Sequence, residues 1–246
     1  MVWAKGARRA VVGGALALCL GLASAAWAES MVVRASGPSA KSYPPGRKLA
    51  EGGSLVLKAG DIVTLLDGKG TRTLRGPGSF GVTAAAGAAG AGNVALAALL
   101  DTKRVRRART GAVRGTITDA AAAAPRRPNL WLVDVSQPGA LCFADPASVR
   151  LWRADAAKPA TVRISGGGTQ ASASFAAGEA IAPWPAALPV ADGASYRIAG
   201  GQTVDIRFAK VGPIEPGLEQ VASGLIARGC AAQLDLLVDS AALSRN

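Results

Sequence analysis

The sequence predicts a mainly β protein in which two β modules are joined by a helical basic connector and followed by a helical tail. Three observations support this class. Half of the 246 residues are apolar, so the chain can bury substantial cores and does not have the composition of a disordered polymer. Short β-prone runs alternate with turn residues over two long stretches. Runs with helical spacing lie between these stretches and near the C-terminal end.

The composition also excludes several kinds of chemistry. The chain has no histidine, the commonest general base and the commonest zinc ligand, so metal hydrolases and histidine-based catalytic triads are excluded. We expect neither a metal ion nor a cofactor. With 28 Lys and Arg against 16 Asp and Glu, the formal net charge is +12, which favours anionic partners.

Residues 1–28 have the pattern of a secretory signal peptide. Basic residues at Lys5, Arg8 and Arg9 precede an apolar stretch over 10–25 and the small-residue site Ala26-Trp27-Ala28. We expect cleavage between Ala28 and Glu29, with retention as a membrane anchor as the alternative. The predicted location is therefore periplasmic or secreted, and a nucleic-acid partner is not expected.

The first module, residues 29–83, is predicted to be a small β-roll or barrel. Strands of about five residues alternate with Gly-Asp or Asp-Gly turns, which is typical of hairpins. Period-2 spacing at Leu55/Leu57, Ile62/Thr64 and Thr71/Thr73 predicts strands buried on one face. The expected strands are 32–34, 54–58, 62–66 and 71–75.

The connector, residues 84–128, is predicted to form a helix and then an exposed linker. Asn93 is a suitable N-cap, the helix is expected to run to Arg109, and Pro125 and Pro128 prevent its continuation. Residues 101–128 contain eight basic side chains against two acidic ones. The helix macrodipole explains part of this cluster, but the number of basic residues exceeds what a helix end requires, so the cluster as a whole predicts a basic patch for an anionic partner. The patch comprises Lys103, Arg104, Arg106, Arg107, Arg109, Arg114, Arg126 and Arg127.

The second module, residues 129–211, is predicted to be an Ig-like β-sandwich. Seven β-prone runs occur in about 80 residues and are separated by Pro-Gly, Gly-Gly-Gly and Asp-Gly turns, which is the strand spacing of immunoglobulin-like domains. The indoles of Trp131, Trp152 and Trp184 are expected in the core, and an exposed sugar-binding platform is the alternative.

The tail, residues 212–246, is predicted to contain two helices separated by Gly229. Leu218, Val221, Ala222 and Leu225 share one face of the first helix, and the second runs over 231–243. Cys142 and Cys230 are the two cysteines that remain after signal cleavage. In an oxidising compartment such a pair predicts a disulfide, here one that holds the tail against the sandwich.

One stretch of the first module resembles a known family. Leu57-Lys-Ala-Gly-Asp-Ile-Val-Thr64, followed by Asp67-Gly68 and the run Thr71–Leu74, is similar to the FecR family of periplasmic β modules, over about residues 50–83. The resemblance implies a periplasmic β scaffold used in protein or ligand contact, with envelope signalling as one role. Since no cytoplasmic segment is expected ahead of the signal, direct control of a sigma factor is not expected either.

Three functional hypotheses follow from these features. We favour a non-enzymatic interaction or scaffold protein that presents the basic connector to a partner protein. The alternative is a binding protein for an anionic envelope polymer or a membrane surface, with peripheral membrane contact. The third is a glycan-cleaving enzyme that uses a carboxylate pair, for which the sequence offers Asp134, Asp145, Asp155 and Asp192.

Overall fold

A computed structural model of the protein describes residues 30–82, 91–101, 127–212 and 217–243. It is mainly β, as predicted. The first module contains β1 (Ser30–Ser36), β2 (Lys48–Leu49), β3 (Ser54–Leu57), β4 (Ile62–Asp67), β5 (Gly70–Arg75) and β6 (Gly78–Gly81). The strands of the second are β7 (Leu132–Asp134), β8 (Gly139–Phe143), β9 (Arg150–Trp152), β10 (Ala160–Gly166), β11 (Thr169–Phe175), β12 (Ile181–Pro183), β13 (Ser195–Ala199) and β14 (Thr203–Lys210). Three α-helices are described: α1 (Ala91–Leu100), α2 (Leu218–Ala227) and α3 (Ala231–Leu243).

The first module is a four-stranded sheet, in the order β2-β1-β4-β5, that packs against the two-stranded β3-β6 sheet. Strand β4 is buried on both faces. Val63 and Leu65 lie in the core shared with β3, whereas Leu66 lies in the core formed by the helices. The predicted one-sided burial of this strand is therefore wrong, because a layer of helices covers its second face. A continuous apolar run is typical of a strand that is buried on both faces.

The helical layer lies between the two β modules. Helices α1, α2 and α3 share a core with Met31 and Leu66 of the first sheet and with Trp131 and Cys142 of the second module. The prediction that the tail packs on the sandwich is thus incomplete, since the same helices cover the N-terminal sheet. Sequence periodicity shows that a helix has an apolar face but not which surfaces that face will cover.

The second module consists of a five-stranded sheet, ordered β11-β10-β13-β14-β8, and a three-stranded sheet, ordered β12-β9-β7. One apolar core contains residues from both, as in a β-sandwich, including Leu151 from the smaller sheet and Ile164 and Phe208 from the larger. Strands β8 and β14 pair in parallel, as do β7 and β9, whereas the other strand pairs of the sandwich are antiparallel.

Several element boundaries differ from the expectations. Asn93 lies inside α1 instead of capping it, because the helix already includes Ala91. The β-prone run over 148–153 was expected to be one strand, but Ser148 ends a 3-10 helix over Pro146–Ser148 and the strand is shorter. Strand β12 was not predicted because it is only three residues long and ends in proline. Within the described ranges, no helix is long and apolar enough to cross a membrane.

Candidate functional site

Of the predicted basic patch, the structure describes Arg127 alone. Its guanidinium donates hydrogen bonds to the carbonyl oxygens of Leu132 (3.2 Å) and Ala232 (2.9 Å), so it ties the second module to α3. Burial lowers the pKa of Arg127, and the nearby Asp134 carboxylate acts in the opposite direction. Arg127 is a structural cation in this arrangement. Lys103, Arg104, Arg106, Arg107, Arg109, Arg114 and Arg126 lie outside the described residues.

The predicted disulfide is present. Cys142 in β8 and Cys230, which directly precedes α3, are bonded with a Cα–Cα distance of 5.8 Å. The adjacent Gln233 strengthens this junction. Its side-chain amide accepts a hydrogen bond from the Cys142 N–H (2.6 Å) and donates to the carbonyls of Cys142 and Leu130 (2.8 Å each). The amide therefore pairs with the free edge of β8 much as a neighbouring strand would.

Each of the four carboxylates proposed as catalytic groups accepts hydrogen bonds from nearby backbone. Asp134 accepts from the Ser136 N–H, Asp145 from the Ala147 N–H and Asp155 from the Ala157 N–H, at 2.9, 3.0 and 2.9 Å. Such bonds two residues along the chain define Asx turns, in which the carboxylate stabilises its own loop. Asp192 instead accepts from the Lys210 N–H at 2.8 Å and so holds its own loop against the end of β14.

Two of these carboxylates line a common cleft. Asp134 and Asp155 border a space of about 330 Å³ together with Arg153 and Lys158. Asp155 is exposed, Asp134 is half-buried, and Arg153 is occupied by the carbonyls of Glu179 and Ala176, both at 3.0 Å. The cleft therefore lacks the desolvated carboxylate pair that acid and base catalysis of glycan cleavage requires.

The deeply buried carboxylates of the first module also stabilise turns. Asp61, which is 1% exposed, accepts hydrogen bonds from the backbone N–H groups of Ser39 (2.8 Å) and Lys58 (2.5 Å). Burial alone would raise its pKa, but the hydrogen bonds from Ser39 and Lys58 outweigh that effect and lower it. Asp67, at the other end of β4, accepts from the N–H groups of Lys69 and Gly70 in the next turn.

Trp131, Trp152 and Trp184 lie in cores, as predicted. Trp131 and Trp152 are 4% and 5% exposed. Trp184 is partly buried against the sandwich core, donates from its Nε1 to the Leu188 carbonyl at 2.7 Å and packs edge to face with Tyr196. The three indoles therefore do not form an exposed sugar-binding platform.

The outer face of the five-stranded sheet carries a row of exposed arginines. The row comprises Arg163 on β10, Arg197 on β13 and Arg207 on β14. Arg197 lies directly opposite Ser165 and Asp205, so Arg163 and Arg207, each two residues farther along its strand, are its diagonal neighbours. Diagonal neighbours on a sheet are about 7–8 Å apart, so the row can contact an extended ligand at regular intervals. We call these three residues the arginine face. A shallow depression of about 610 Å³ adjoins it, lined by Ser165, Gly166 and Ser195 as well as by Arg197 and Arg207.

The arginine face is only partly neutralised. Asp205 accepts a hydrogen bond from the Arg197 Nε at 2.9 Å, and this bond and the positive charge lower the pKa of Asp205. The pKa of Asp192 is lowered first by its hydrogen bond from Lys210, then by the charges of Arg228 and Arg207. The face thus retains excess positive charge in water-accessible positions, which favours contact with anionic groups.

No group of three or more Cys, Asp or Glu residues that could hold a metal ion occurs among the residues that the structure describes. Comparison with protein-family models, curated proteins and solved structures finds no match to this chain. The FecR resemblance of residues 50–83 and the Ig-like assignment of the sandwich therefore stay predictions.

Proposed function

We propose that the protein is an exported, non-enzymatic interaction or scaffold protein, with a FecR-like first module and an Ig-like second module. The observation that carries the proposal is the use of its acidic side chains. All four carboxylates that the sequence offered for catalysis hold loops in place through backbone hydrogen bonds. An enzyme needs such groups free to exchange protons with a substrate.

Two further features support this proposal. The Cys142–Cys230 disulfide suits an oxidising compartment, in agreement with the signal-like residues 1–28. The helical layer and this disulfide hold the two β modules around one shared core. A rigid body of this kind can present surfaces to a partner without losing the conformational entropy of reorienting domains.

Affinity capture from an envelope fraction tests the interaction role. The test compares the wild-type protein with a variant in which the seven basic residues from Lys103 to Arg126 are replaced by Gln, and with a control carrying Lys41→Gln and Lys158→Gln. We expect one partner protein to be recovered by the wild type and the control and lost by the connector variant. Glycan hydrolysis that is abolished by Asp134→Asn or Asp155→Asn would overturn the proposal.

The arginine face favours a second candidate function, binding of an anionic envelope polymer or membrane surface together with the basic connector. Such binding is electrostatic and weakens as salt rises, because exposed charges are screened within about 10 Å at 0.1 M salt. We expect retention on an acidic polymer to fall when Arg104, Arg106 and Arg107 become Ala, and to fall further when Arg163 and Arg207 are also replaced. Retention that does not change between 50 mM and 500 mM salt would exclude this function.

A further inference from the structure

Strand β11 (Thr169–Phe175) is an edge strand: within the described ranges β10 is the one strand hydrogen-bonded to it, and β12 of the smaller sheet lies close by without pairing. It pairs with β10 in unbroken register, and the hairpin between them closes at Gly166 and Thr169 through Gly167 and Gly168. Both of these glycines have positive φ, 57° and 77°, as a type I′ turn requires. The closing pair of such a turn is hydrogen-bonded, so alternate residues of β11 direct their backbone N–H and C=O groups outward. These residues are Gln170, Ser172 and Ser174.

The other edge strands in the described parts of the chain are either capped by side chains or unsuited to pairing. The Tyr43 hydroxyl accepts from the Val56 N–H (3.1 Å) and donates to the Val56 carbonyl (3.2 Å) at the edge of β3. Arg72 donates to the Gly81 carbonyl of β6 at 2.8 Å, and Gln233 pairs with Cys142 on β8. Of the remaining edge strands, β2 and β7 have two and three residues, β12 ends in proline and β5 carries two arginines. These are the features by which proteins prevent edge pairing.

Strand β11 has none of these features. It has seven residues, Thr-Gln-Ala-Ser-Ala-Ser-Phe, without charge, proline or bulge. Its central five residues are also nearly palindromic about Ser172, with Ala171 and Ala173 on either side. In an antiparallel pair of two copies centred on Ser172, alanine lies opposite alanine and Gln170 lies opposite Ser174.

We propose that the outer edge of β11 binds the same edge of a second copy of the protein. A two-fold axis at Ser172 forms about six backbone hydrogen bonds from the outward groups of both chains and joins the two five-stranded sheets into one. A second copy is favoured over a charged peptide because the edge supplies no charge to recognise one. Arg163, which lies opposite Ser172 on the exposed face of the sheet, is one strand inward, so the two copies of Arg163 are three strand spacings, roughly 14 Å, apart. This is beyond the screening length at physiological salt.

The test is the concentration dependence of the mass of the purified exported protein, measured by analytical ultracentrifugation. We expect a monomer–dimer equilibrium. Ser172→Pro removes an N–H that points away from β10, so the strand keeps its ladder while the dimer loses its central pair of hydrogen bonds. The dissociation constant should rise by roughly thirty-fold. The control is Thr203→Lys, on the same outer face of the sheet but on the inner strand β14, and it should leave the dimer intact. Proline is not used at this control position because an inner strand is paired on both sides.

Cysteine crosslinking tests the register independently of any loss of folding. With the axis at Ser172, the two Ser172→Cys side chains oppose each other within disulfide range, and mild oxidation should give a covalent dimer. Thr203→Cys should remain monomeric under the same oxidation. A wild-type protein that is monomeric at several hundred micromolar would overturn the proposal. So would a dimer that Ser172→Pro leaves unchanged, or an edge that captures a foreign extended peptide and no second copy.

Discussion

Gln233→Leu tests how much the β8 junction contributes to stability. The Gln233 side chain is 1% exposed and satisfies three backbone groups, the Cys142 N–H and the carbonyls of Cys142 and Leu130. Leucine has a similar size but cannot form hydrogen bonds, so these three buried groups lose their partner. An unsatisfied buried polar group costs about 1–3 kcal/mol. Allowing for the added apolar burial of leucine, we expect the free energy of unfolding to fall by about 3–5 kcal/mol.

Urea unfolding with the disulfide intact measures this loss. The matched control is Gln202→Leu, because exposed Gln202 makes a single long hydrogen bond, 3.4 Å, to the Ser136 carbonyl. Its effect should stay within about 0.5 kcal/mol. A loss below about 1 kcal/mol for Gln233→Leu would refute the reasoning, since it would mean that the three backbone groups find other partners.

Three further predictions concern the disulfide, a buried carboxylate and a close backbone approach. Cys142→Ser should lower the free energy of unfolding by about 2–5 kcal/mol. It should also speed amide exchange in α2 and α3 and in β1 and β4, because these elements share one core. Faster exchange that is confined to the helices would contradict this. Asp61→Asn should remove part of the acid sensitivity. Since the folded pKa of Asp61 is lowered, its ionised form stabilises the fold above the unfolded pKa of about 3.9, and this contribution is lost as pH falls through the folded pKa. The stability difference between wild type and variant should therefore shrink below about pH 4 in thermal unfolding scans. Gly37→Ala should destabilise the first module more than Gly52→Ala does. Both glycines have positive φ, but a Cβ at Gly37 would lie 2.6 Å from Asp61 Oδ1, and one at Gly52 meets no atom within 4 Å; equal melting temperatures would contradict the clash.

Local patterns in the sequence predicted much of the secondary structure. Most of the longer strands of both modules were expected from their β-prone runs and period-2 spacing, whereas the short strands β2, β6 and β12 were not. The buried face of α2, comprising Leu218, Val221, Ala222 and Leu225, matches its 3.6-residue spacing. The disulfide followed from the cysteine count and the expected export. These features depend on neighbouring residues, or on residue types alone, and can be read without knowing the fold.

The site depended on contacts that no local pattern encodes. Arg127 looked like part of an exposed patch, yet its partner carbonyl on Ala232 is 105 residues away. Gln233 gave no signal in the sequence, because its role appears only when α3 meets the edge of β8, 91 residues earlier in the chain.

The sequence by itself thus determined the β class, the helical faces and the pairing of Cys142 with Cys230. Tertiary structure alone decided that the helical tail also covers β4, that the acidic side chains hold turns, and that β11 keeps an open edge. The physical reason is that propensity and periodicity act over a few residues, whereas burial and hydrogen-bond satisfaction depend on which distant surfaces meet.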